Sequence, residues 1–82
     1  MVTRRHDARP ETKRFGAAIR RRREEKGLTQ QQLADQAEVS LRYIVAVEAG
    51  DNSPSLSAIF QLCEALDTSP AELLEEIWRQ RH

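Results

Sequence analysis

Arginine fills four consecutive positions, Arg20 to Arg23, and Lys26 adds a fifth cation just beyond them. Guanidinium groups at that density suit phosphate, because each is a planar fork of donors that matches a pair of anionic oxygens. The cluster is part of a wider asymmetry. Residues 1 to 26 hold ten Lys or Arg (Arg4, Arg5, Arg9, Lys13, Arg14, the four clustered arginines and Lys26) against four acids, a net of +6; residues 27 to 82 hold three against nine, a net of −6. The whole is neutral, so the basic third is either a phosphate-binding surface or a solvated face.

Other chemistries have little to work with. His6 and His82 lie near opposite ends, no Ser, Cys or carboxylate stands at catalytic spacing beside either, and no glycine-rich phosphate loop is present, so an enzyme is not expected. The single cysteine, Cys63, can form neither an internal disulfide nor a metal cluster and falls in an apolar helical run, where a buried, inert thiol is the ordinary reading. No cofactor, metal or small-molecule ligand is indicated. With 82 residues there is room for one domain. A chain of this size buries only about 60% of the surface its unfolded state exposes. It has no apolar run near the ~18 residues of a membrane span. No apolar segment follows the basic start, so neither membrane insertion nor secretion is indicated and a cytoplasmic location is expected.

Start and stop signals divide the chain into five helical segments behind a basic arm, residues 1 to 9, and the sequence predicts an all-α domain over 10 to 82. The first segment runs from Pro10 to Lys26, with Pro10 suited to a first turn, an inward stripe of Phe15, Ala18 and Ile19, and Gly27 as its stop. Thr29 opens the second, with Gln32 placed to reach back to the cap and Leu33, Ala34 and Ala37 inward. Ser40 caps the third, which carries Ile44 and Val47 on one face and stops at Gly50; its β-branched residues would also suit a short strand, but the flanking cap and stop favour helix. After the turn-rich "GDNSPS", Ser55 caps a fourth helix with Ile59, Leu62, Cys63 and Leu66 in one stripe, and Ser69, Pro70 and Glu72 open a fifth with Leu73, Leu74, Ile77 and Trp78.

Two short helices separated by Glu38 to Ser40 must cross steeply, which is helix-turn-helix geometry. Ala34 has to be small where they nearly touch. The stretches "IRRRREEKGLTQQQLADQAEVS", "YIVAVEAG" and "NSPSLSAIFQLCEALDTSPAELL" together resemble the phage-repressor-like (Cro and repressor, XRE-type) helix-turn-helix family over about residues 15 to 75. The resemblance implies a five-helix lambda-repressor-like domain that binds double-stranded DNA and regulates transcription. The second helix of the motif would enter the major groove while the first lies across the phosphate backbone. Carried residue by residue, it assigns Leu41, Arg42, Val45 and Ala46 to base edges, and Gln30, Ser40 and Tyr43 to phosphate. Arg23 and Glu48 become an internal salt bridge. The family's small stand-alone members include phage repressors, plasmid regulators, restriction-modification controllers and antitoxins.

Three departures from the family pattern stand out. Glu38 occupies a turn position usually held by Gly, and a left-handed backbone there would cost about 1 kcal/mol. Arg22 replaces an apolar residue, so it either lays its stem along the core or joins the phosphate patch. The outward recognition positions hold Leu41, Val45, Ala46 and Ala49, with Arg42 the only cation between Ser40 and Gly50. Such a face can meet thymine methyls while Arg42 forks onto guanine. It can also pack on a partner protein, as an antitoxin-like or adaptor module would require. DNA half-sites usually come in pairs, and Leu74, Ile77 and Trp78 are the candidate homodimer surface, with closure of the monomer core by Leu73 and Trp78 as the simpler use of that helix.

Overall fold

The computed structural model describes residues 9–80. The basic arm up to residue 8, His6 and His82 lie outside the described residues. The element order is α1 (Pro10–Glu25), α2 (Gln30–Ala37), α3 (Leu41–Glu48), α4 (Leu56–Ala65) and α5 (Pro70–Gln80), an all-α, five-helix fold with the helix-turn-helix at α2 and α3. Among the described residues no helix is long and apolar enough to cross a membrane.

α1 starts at Pro10, which has no amide hydrogen to satisfy, and the other four helices start where a short polar side chain can cap exposed amides. Thr29 and Gln32 form a reciprocal capping box, Thr29 Oγ1 accepting from Gln32 N at 3.0 Å and Gln32 Oε1 accepting from Thr29 N at 2.8 Å. Ser40 Oγ accepts from Tyr43 N, Ser55 Oγ from Ala58 N and Ser69 Oγ from Glu72 N. The Glu72 carboxylate takes up the Thr68 hydroxyl at 3.1 Å.

Four helices end in one way. Gly27, Glu38, Gly50 and Asp67 all have positive φ, and the next residue's amide donates back across the last turn: Leu28 to Arg23, Val39 to Ala34, Asp51 to Ala46 and Thr68 to Cys63, each carbonyl at 3.0 or 3.1 Å. Glu38, at φ 61°, is the left-handed non-glycine turn that the sequence raised. Asp67, at φ 55°, is a second that it did not. An Asp tolerates this conformation better than most side chains, and its carboxylate is held by Lys26 Nζ at 3.0 Å.

The core draws on every helix: Phe15, Ala18 and Ile19; Leu33, Ala34 and Ala37; Ile44 and Val47; Leu62, Cys63 and Leu66; Leu73 and Ile77. Burial pushes the Cys63 thiol up, against a weaker opposing pull from Arg22, so it stays protonated and unreactive. Ile77 requires a correction. It is 6% exposed and belongs to this core, so it offers no surface to a mate, whereas Leu74 and Trp78 stand exposed beside it. Gly16 carries a constraint invisible in the sequence: a Cβ there would overlap the Val47 carbonyl oxygen and lie 3.1 Å from that of Glu48. α1 and α3 therefore touch backbone to backbone.

Two substitutions test these local conformations by urea denaturation. Glu38→Gly should raise stability by about 1 kcal/mol by removing the left-handed cost. Gly16→Ala should lower it by roughly 1–3 kcal/mol, because carbonyls cannot step aside as a flexible side chain would.

Candidate nucleic-acid interface

The apolar content of α3 divides cleanly between inside and outside. Ile44 and Val47 are buried, which leaves Leu41 at 41% exposure, Val45 at 45% and the exposed Arg42 on the outer face, with Ala46 half-covered at its edge. The Tyr43 ring packs partly against the core, and burial raises its pKa against an opposing pull from the Ser55 backbone amide at the start of α4, which leaves the hydroxyl its own proton to donate. Ser40 accepts from the Tyr43 amide, so its own hydroxyl proton is available for an external acceptor.

What holds this face in position is a nearly dry ion pair. Arg23 Nε lies 2.7 Å from Glu48 Oε2, with side-chain exposures of only 11% and 4%. Arg23 Nη2 donates to Glu48 Oε1 at 3.1 Å, Arg23 Nη1 to the Leu28 carbonyl at 2.8 Å, and Gln30 Nε2 to the same Glu48 Oε1 at 3.0 Å. One carboxylate at the last turn of α3 thus collects α1 and the first residue of α2, and the hydrogen bond that Arg23 donates to Glu48 further favours the charged form of Arg23. Gln30, assigned to phosphate by resemblance, has one amide proton committed here and keeps its second.

The remaining cluster is engaged with acids of its own chain. Arg20 pairs with Glu24 at 3.1 Å; Arg21 reaches Glu25 at 3.7 Å and Glu76 at 2.6 Å; Lys26 holds Asp67. Arg22 is corrected most directly: Nη2 donates to Glu76 at 2.9 Å and Nη1 to Thr68 at 3.1 Å, while its Nε is buried without a partner. Its guanidinium fastens α5 to α1, because the acids of the C-terminal half lie directly against it. Burial alone would raise the Glu76 carboxyl, but the hydrogen bonds from Arg22 and Arg21 outweigh it and hold the carboxyl below its ordinary range. Among the described residues, the cations with no ion-pair partner are Lys13, Arg14 and Arg42. The opposite nets of the two halves were the available signal, since equal and opposite charges in one small fold neutralise each other.

Amide donors complete the surface. α2, α3 and α4 begin with uncharged caps and no acid in the first turn, whereas α1 carries Glu11 and α5 carries Glu72 there. The positive ends of the three middle helices are left uncompensated, which favours anions near them. Gln30 at the start of α2 lies against Glu48 in α3, and Ser55 at the start of α4 lies against Tyr43, so the polar starts of both neighbours flank α3.

A family model described as helix-turn-helix matches residues 19–73, most of the chain. The chain belongs to the Cro- and repressor-like helix-turn-helix family of transcriptional regulators. This is a family of DNA-binding regulators and not of enzymes. The chain is 34% identical over 62 residues to the HTH-type transcriptional regulator y4dJ of Sinorhizobium fredii, covering 76% of this chain and 80% of the relative. Its fold superposes on the restriction-modification controller protein C.AhdI of Aeromonas hydrophila with a TM-score of 0.74 and 38% identity, over 77% of this chain and 96% of that one. It also superposes on the clp gene regulator ClgR of Corynebacterium glutamicum with a TM-score of 0.79 and 32% identity, over 88% and 94%.

For this helix-turn-helix regulator the Arg23–Glu48 pair should matter more when broken than when replaced. Glu48→Ala, which strands a buried guanidinium, should cost roughly 3–5 kcal/mol in urea denaturation, while joint replacement by Arg23→Met and Glu48→Leu should recover most of it. The Glu76 pairing contributes stability above the ordinary Glu pKa of about 4.3 that is lost as pH falls through the lowered folded value. Glu76→Gln should therefore flatten the acid limb of a stability-versus-pH curve.

Proposed function

We propose that this regulator is a sequence-specific reader of double-stranded DNA that places the helix beginning at Ser40 in the major groove and works as a homodimer. The observation that carries the reading is the outer face of α3: Leu41, Arg42 and Val45 are uncovered by their own chain, on a helix locked at its far end by Glu48. Arg42 forks onto a guanine, Leu41 and Val45 meet base edges as apolar contacts, and the half-covered Ala46 lies at the margin of the contact. Ser40 and Gln30, each with a donor to spare, bind flanking phosphates. Tyr43, half-buried beside the start of α4, turns its hydroxyl proton to a flanking phosphate. Arg22 is left out of the phosphate set.

Pairing of two copies uses α5. Leu74 and Trp78 stand one turn apart on its exposed side, next to a shallow apolar cleft bordered by Pro54 and Ile59, and a two-fold mate would cover both at once. The partner-protein alternative for the α3 face predicts no duplex binding even at low salt.

Among the described residues three cations per copy, Lys13, Arg14 and Arg42, have no ion-pair partner. On phosphate these three would contribute about −2 to −3 per protomer to the slope of log K against log salt, where the five clustered cations would contribute about −4.5. Fluorescence anisotropy on a duplex selected from random sequence measures it. Arg42→Ala should remove roughly 1–3 kcal/mol of discrimination at one base pair. Arg22→Ala should leave the salt slope unchanged. The pair Leu74→Ala and Trp78→Ala should move sedimentation at micromolar concentration from dimer to monomer.

A further inference from the structure

Most hydrogen-bonding side chains of α3 and its cap have at least one partner within the chain. Ser40 Oγ accepts from the Tyr43 amide, the Tyr43 hydroxyl meets the Ser55 backbone, and Glu48 is shared between Arg23 and Gln30. Among the described residues this leaves Arg42 as the one side chain of α3 with donors pointed outward and no intramolecular partner, between two aliphatic neighbours.

The largest apolar group that a base pair displays in the major groove is the C5-methyl of a pyrimidine that bears one; an unmethylated pyrimidine offers only a C5 hydrogen there. An aliphatic side chain set against N7, O6, O4 or an exocyclic amine strips water from a polar group and returns no hydrogen bond. Set against a C5-methyl, it removes apolar surface from water on both sides. Leu41 and Val45 therefore gain most from methylated pyrimidines. The two are four residues apart, about 6 Å along the helix. Base pairs are spaced by about 3.4 Å, so both contacts fall within two or three steps of one half-site.

Thymine is one such base, and 5-methylcytosine is the other. They differ in this groove by an O4 acceptor against an N4 donor, which a hydrogen-bonding side chain would distinguish and neither Leu41 nor Val45 can. We infer that the α3 outer face recognises the C5-methyl of pyrimidines as such, so that 5-methylcytosine substitutes for thymine opposite Leu41 and Val45 and cytosine methylation there converts a weak site into a strong one. This rests on the major-groove reading above and adds the chemical group that is read.

The test uses the full chain and a duplex selected from random sequence, with binding followed by anisotropy at fixed salt. At each thymine in turn, the duplex is remade with deoxyuridine, cytosine or 5-methylcytosine, the last two with guanine opposite. One buried methyl corresponds to about a four-fold change in affinity. Two positions in each half-site, within three base pairs of each other, should lose about that much with deoxyuridine and with cytosine and regain most of it with 5-methylcytosine. Val45→Ala should abolish the methyl effect at one of the two positions and Leu41→Ala at the other. Both residues are exposed, and an unchanged melting temperature verifies that each variant folds. Tight, sequence-selective binding that is indifferent to deoxyuridine at every thymine, or that treats cytosine and 5-methylcytosine alike, overturns the inference while leaving the groove reading intact. Failure to bind any duplex at low salt overturns both.

Discussion

The arrangement turns on one buried carboxylate. Glu48 sits at the last turn of α3, and through it Arg23 from α1 and Gln30 from α2 are brought to a common point. Helices of eight residues, as α2 and α3 both are, have little stability of their own, so the angle between them has to be imposed by contacts at their ends. The ion pair does this at one end, Ser40 and the left-handed Glu38 do it at the turn, and the glycine at position 16 lets α1 close against the α3 backbone. Whether a nearly dry pair adds net stability is secondary to its geometry. A bidentate guanidinium–carboxylate contact specifies orientation in a way that an apolar pair of equal volume does not.

That assignment of charge has a consequence for function. The arginines that looked available for phosphate are consumed in holding the fold: Arg23 in the α3 lock, Arg21 and Arg22 on α5 through Glu76, Lys26 at the Asp67 turn. Small proteins are marginal in hydrophobic burial, and fastening the last helix by charge offsets part of that deficit. Among the described residues, duplex recognition is left with helix amides, hydroxyls, apolar side chains and the unpaired Lys13, Arg14 and Arg42.

The local features were legible in the sequence because they have local causes. Thr29 with Gln32, Ser40, Ser55 and Ser69 mark helix starts through side chains that can reach only their own amides, and Gly27 and Gly50 mark stops through backbone freedom. The inward stripes follow from helical periodicity. What was not legible depends on contacts across the chain. A glycine inside α1 reads as a tolerated defect until the Val47 carbonyl is seen against it. Ile77, Leu74 and Trp78 share one apolar segment, and only the angle at which α5 docks makes the first core and the others surface. Asp67 was missed as a helix stop because no side-chain signal separates a left-handed Asp from an ordinary one. The partner of Arg22 lies 54 positions away, beyond any local pattern.

In the proposed arrangement α3 faces the duplex while Arg21 and Arg22 face α5. Backbone and arginine side-chain NMR shifts, followed during titration with a selected duplex, test it on both sides at once. The account predicts that signals of Gln30 and of Ser40 through Ala46 move, including the Arg42 Nε–H, and that those of Arg21, Arg22 and Glu76 stay in place. Large shifts at Arg21 and Arg22, with Leu41 to Val45 unmoved, would contradict it.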